Sequence, residues 1–105
     1  MAPDPDAALL LAFQRGDEAA FRALFDKYAR PMVAFCHRFV RDDARAEELA
    51  QDVFLKIHAS ARRYRPTARF KTYLYRIAAN HCLNQVRRGD FAARRELDRE
   101  GAAEP

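Results

Sequence analysis

Apolar residues return with a helical period along most of the chain. The clearest run is Phe21, Leu24, Phe25, Tyr28, Met32, Phe35, Cys36 and Phe39, spaced i, i+3, i+4, the pattern of one buried helix face. Pro31 lies inside this run. Because the stripe continues on both sides of it, a kink is expected there and not a break. A shorter helix precedes it, with Leu9, Leu10 and Phe13 inward, Asp6 as N-cap and Gly16 as terminator. Asp17 then caps the long helix.

A third helix is expected from about Ala44 to Ser60, capped by Asp42 or Asp43 after a short turn. Ala46, Leu49, Ala50, Val53, Phe54 and Ile57 form its inward face. Glu48, Gln51, Asp52 and Leu55 lie on the opposite side, so Leu55 is an apolar residue ringed by polar ones. That is the composition of an interface anchor with a polar rim. A helix face that simply tolerates one leucine is the other reading.

The stretch Ala61–Arg69, ARRYRPTAR, breaks the helical pattern. Pro66 disfavours helix at Arg65, and Thr67 is placed to cap the next helix. That fourth helix, Phe70 to Arg88, has two apolar sectors that nearly meet. Phe70, Leu74, Ile77 and Ala78 form one, and Tyr75, Ala79, Cys82 and Val86 the other. Between them runs a single polar stripe of Tyr73, Arg76, Asn80, Asn84 and Arg87. The charged, alanine-rich residues 89–105 read as a linker or a frayed helical extension of a domain spanning residues 1–88. Residues 1–5 are expected to be loose. Scarce β-branched residues and only three glycines agree with an all-α fold.

Charge sharpens this picture. The net charge of +4 is unevenly spread, for no acid occurs between Asp52 and Asp90. That gap holds Lys56, Arg62, Arg63, Arg65, Arg69, Lys71, Arg76, Arg87 and Arg88. A basic stretch that coincides with ring and amide side chains suits nucleic acid: cations meet phosphates, carboxamides meet base edges, and rings stack. Arg62, Arg63, Tyr64, Arg65, Arg69, Lys71, Tyr73, Arg76, Asn80, Asn84, Arg87 and Arg88 are therefore the candidate DNA-binding residues. In the alternative reading Tyr64 packs on the core edge and the arginines are merely solvated.

Several function classes are disfavoured. No phosphate-cradling glycine loop occurs, and the pair Glu48 and Asp52 has no nucleophile or histidine placed by sequence to work with it, so catalysis is not expected. Cys36-His37 and His81-Cys82 hold a zinc-like donor set. Neighbours on a helix diverge by about 100°, so neither pair easily faces one ion. Free, buried thiols with partly exposed imidazoles are expected, with no metal and no cofactor. No apolar run is long enough to cross a bilayer, and MAPDPDAALL lacks the basic start of a secretion signal. A cytoplasmic protein, monomeric when isolated, is expected.

Three segments in order, GDEAAFRALFDKY (16–28), AEELAQDVFLKI (46–57) and FKTYLYRIAANHCLNQVRR (70–88), resemble region 2 of bacterial extracytoplasmic-function (ECF) sigma factors. The resemblance covers roughly Leu9 to Arg88. It implies a compact three- to four-helix domain that binds RNA polymerase and opens the promoter −10 element. It implies that Glu48, Gln51, Asp52 and Leu55 dock on the β′ clamp helices. It further implies that the loop Ala61–Arg69, with Tyr73, Arg76, Asn80 and Asn84, holds the nontemplate single strand with one base flipped out. An anti-sigma factor is a further candidate partner. A module that docks polymerase or such an inhibitor without reading bases is the alternative. The family usually has tryptophan at the place of Tyr73 and often aspartate at that of Asn84, so base preference need not match. Family members also carry a helix-turn-helix domain that reads the −35 element. Nothing after Arg88 could form it, so an excised domain or a natural one-domain form is expected.

Overall fold

The computed structural model describes residues 4–103 in backbone and 4–89 in side chain. Helices α1 (Pro5–Gln14), α2 (Glu18–Val40), α3 (Asp43–Ser60) and α4 (Phe70–Ala103) are joined by tight connections and one 3₁₀ turn at Ala61–Arg63. Among the described residues there is no strand, and no helix is long and apolar enough to cross a membrane.

The caps explain the boundaries. Asp17 accepts from the Ala20 N–H and Asp42 from the Arg45 N–H, starting α2 and α3. Gly16 closes α1 at φ 108°, where an L side chain would be strained. No glycine ends α2; Arg41 takes the left-handed conformation instead, at φ 53°. Helix α2 runs unbroken through Pro31.

Two expected caps are corrected. Asp4, not Asp6, caps α1, because Pro5 occupies the first helical position and leaves Asp4 free to accept from the Asp6 and Ala7 N–H groups. Asp4 also caps α4 in place of Thr67, with its second oxygen accepting the Phe70 N–H at 2.8 Å. The Thr67 N–H donates instead to the Arg65 carbonyl within the loop. Residues 4 and 5 are therefore built into the fold; residues 1–3 lie outside the described chain.

Helix α2 packs against the other three helices. Leu10, Leu24, Met32, Leu49, Val53, Ile57, Phe70 and Leu74 are fully enclosed, each contributing about 1.5–3 kcal/mol through burial. All six residues expected on the inward face of α3 are buried. Asp6 is buried as well and needs partners. Tyr28 donates its hydroxyl to it, and Lys27 Nζ reaches both its oxygens at 2.9 and 3.0 Å. The α4 backbone continues as helix past Arg88 to Ala103, but the side chains of 90–105, the expected linker or extension, lie outside the described residues.

Candidate nucleic-acid interface

The loop between α3 and α4 is held from below by α1. Gln14 Nε2 donates to the carbonyls of Ala61, Arg62 and Tyr64 at 2.9, 3.2 and 3.0 Å. Asp4 fixes the other end through Phe70. Helix α1 and its N-cap residue thus pin both ends of the arginine-rich segment, which lowers the entropy lost when a ligand engages it. Neither Gln14 nor Asp4 stood out in the sequence as part of the site. Asp4 had a visible signal, an Asp-Pro step before a helix; Gln14 had none.

Arg62, Arg63, Arg65, Arg69 and Lys71 are exposed around this loop. Tyr64 is not. It is 5% exposed, its ring centroid lies 5.0 Å from that of Tyr73, and its hydroxyl has no hydrogen-bond partner. Burial pushes its phenol pKa up. Tyr64 therefore forms the floor of the loop and not a free stacking surface, because its ring packs into the core cluster. The arginines on either side keep solvent access. Arg69 and Lys71 share a recess with Asp4 and Asp6, acids that the linear gap in the sequence conceals.

On α4 the stripe is present as a surface. Arg76, Asn80, Asn84, Arg87 and Arg88 are exposed. Tyr73 is half-buried: its hydroxyl meets Ser60 Oγ at 3.2 Å and its ring sits beside Tyr64 and Phe70. Its half-exposed ring lies at the start of the stripe, so a base could pack there while the guanidinium and amide one and two turns on meet phosphates and base edges.

The second surface lies on α3. Leu55 is 67% exposed and borders an apolar recess lined by Phe21, Phe25, Phe54 and His58. Glu48 and Gln51 are exposed. Glu48 pairs with Arg45 at 3.1 Å, and Arg45 also donates to Gln85 Oε1 of α4 at 3.0 Å. Asp52 Oδ2 lies 2.9 Å from His81 Nε2. His81 is 9% exposed, so the expectation of partly exposed imidazoles fails at this position; the pairing with Asp52 makes burial tolerable. Cys36 and Cys82 are free and buried, and among the described residues no cluster of three metal-ligating side chains occurs.

The family model described as Sigma-70 region 2 matches residues 24–91, which contain both surfaces. The chain is 36% identical over 83 residues to RNA polymerase sigma-H factor of Pseudomonas aeruginosa, covering 79% of this chain and 43% of that protein. It is 40% identical over 75 residues to RNA polymerase sigma factor CarQ of Myxococcus xanthus, covering 71% of this chain and 43% of that one. It spans less than half the length of these curated relatives. Among solved structures, the NMR structure of an engineered region 2 of sigmaE in complex with GTAAAA matches with a TM-score of 0.70 at 28% identity. That match covers 77% of this chain and 84% of the other.

Proposed function

Because the chain belongs to the Sigma-70 region 2 family, we propose that it is the transcription-initiation unit that docks on the RNA polymerase β′ clamp helices and captures the nontemplate strand of the −10 element. In sigma factors, region 2 binds core RNA polymerase and the −10 element. The observation that carries the finer reading is the pinned arginine loop opening directly onto the exposed line Arg76, Asn80, Asn84. The loop arginines take the backbone phosphates, and a base leaving the stack settles beside Tyr73. Unstacking costs a few kcal/mol, which contacts from Tyr73 and the Asn80 amide offset. Asn84 contributes hydrogen bonding without the negative charge of an aspartate. Nothing in this sequence of events needs a catalytic residue. Docking through Glu48, Gln51, Asp52 and Leu55 brings the loop to the promoter.

Fluorescence anisotropy with single-stranded and duplex −10 oligonucleotides over a salt series tests this. Preference for the single strand is expected, with the log–log salt slope steepening by about 0.7 for each phosphate neutralised. Equal affinity for both forms would refute capture of the unpaired strand. A second reading has its own support in exposed Leu55 and the apolar recess beside it: a module that docks polymerase or an anti-sigma factor without reading bases. It predicts polymerase binding together with indifference to oligonucleotide sequence.

A further inference from the structure

The seam between α3 and α4 carries three polar ties among the described residues, Asp52–His81, Arg45–Gln85 and Ser60–Tyr73. The first is asymmetric in burial. The His81 side chain is 9% exposed and the Asp52 side chain 44%. The imidazole is thus enclosed between helices, while the carboxylate stands at the edge of the α3 surface. An ionised carboxylate only accepts, so His81 donates its Nε2–H to Oδ2. The bond engages one carboxylate oxygen and restricts the orientation of Asp52. Glu48, one turn earlier, has only an exposed ion pair with Arg45, a weak restraint. Asp52 is therefore the carboxylate of the docking set that bonds directly to a buried side chain of another helix.

We propose that His81 is a positioning residue for polymerase docking: from α4 it holds Asp52 in the orientation that a cationic group of the clamp helices meets. This rests on the docking assignment of the α3 face given above. The imidazole touches no partner itself. Its contribution is that Asp52 no longer has to be ordered on binding, an ordering cost that for one side chain corresponds to roughly threefold to tenfold in affinity. His81 follows Asn80 directly in sequence, so the helix that carries the strand-facing amide also sets the protein-facing carboxylate.

The test is titration of labelled chain with bacterial core RNA polymerase, using His81→Met, which keeps bulk and loses the donor, and His81→Gln, which keeps a nitrogen donor at similar reach. Each is also made in an Asp52→Asn background, and thermal melts accompany every variant. Expected are a loss of about threefold to tenfold for His81→Met, recovery in His81→Gln, and no further loss from His81→Met once Asp52 is Asn. A merely structural histidine would lower the melting temperature without recovery of affinity in His81→Gln and with the same loss in both backgrounds, which would overturn the proposal. Native affinity in His81→Met beside weakened Asp52→Asn would overturn it too, leaving the docking assignment intact. Native affinity in both Asp52→Asn and Leu55→Arg would overturn that assignment itself. Should methionine unfold the chain, His81→Asn, whose shorter amide stops short of Asp52, must show the same loss.

Discussion

Asp4 holds two helices with one carboxylate, and its removal should cost twice what a single cap costs. Oδ1 accepts from the Asp6 and Ala7 N–H groups at 3.1 and 3.3 Å, and Oδ2 accepts from Phe70 at 2.8 Å. One N-cap contributes about 1 kcal/mol, within a range of roughly 0.5–2. Asp4→Ala should therefore destabilise by about 2 kcal/mol. For a domain of this size that lowers Tm by roughly 8–16 °C. Asp4→Asn keeps one acceptor oxygen and should lose about half as much. The Phe70 N–H, foremost among several causes, holds the Asp4 carboxyl below its ordinary value of 3.8, with partial burial opposing. A depressed carboxylate stabilises fully above its unfolded pKa, and that contribution fades as pH falls through the lower folded value. The gap between wild type and Asp4→Ala should thus be constant near neutrality and narrow below about pH 4, where the protonated carboxyl keeps one acceptor oxygen. Thermal melts followed by circular dichroism at neutral and acid pH measure both. Equal Tm values at neutral pH, or a gap that persists unchanged in acid, would refute the double cap.

Other outcomes follow from the same geometry. Leu55→Arg should abolish polymerase binding, measured by pull-down, while changing stability by no more than about 0.5 kcal/mol, because the side chain is mostly solvent-exposed. Tyr28→Phe removes a hydrogen bond from buried Asp6, leaving Lys27 as its remaining side-chain partner, and should cost about 1–3 kcal/mol in urea unfolding. Burial, followed by the contact with Cys82, pushes the Cys36 thiol up to about 12. Burial likewise raises Cys82. Both should resist alkylation in the native state at mildly alkaline pH and react on unfolding, as read by mass spectrometry.

The helices themselves were legible because their signals are local. The period of α2 and α3 and the caps Asp17 and Asp42 depend on residues within a few positions of one another. What the sequence concealed is pairing across distance. Asp4 meets an N–H 66 positions away, Gln14 serves carbonyls 47 to 50 positions away, and Asp52 meets a histidine 29 positions away. Periodicity says which way a side chain faces on its own helix and is silent on which polar group of another element it finds there. Tyr64 shows the same limit in a loop. Its basic neighbours suggested a surface role, but an aperiodic segment offers no register, and the ring turns inward. The stripe on α4 fared better, since Arg76, Asn80 and Asn84 share a face by spacing alone and that face is exposed.

In the proposed function an amide on α4 reads the unpaired strand while the loop arginines hold its backbone. Asn80→Ala and Arg62→Ala separate these two roles when each is titrated, with wild type, against single-stranded −10 oligonucleotides substituted one base at a time. Asn80→Ala should flatten discrimination at one position, by about 1–3 kcal/mol for a lost base-edge contact. Arg62→Ala should weaken every oligonucleotide alike and reduce the salt slope. Unchanged base discrimination in Asn80→Ala would contradict the account.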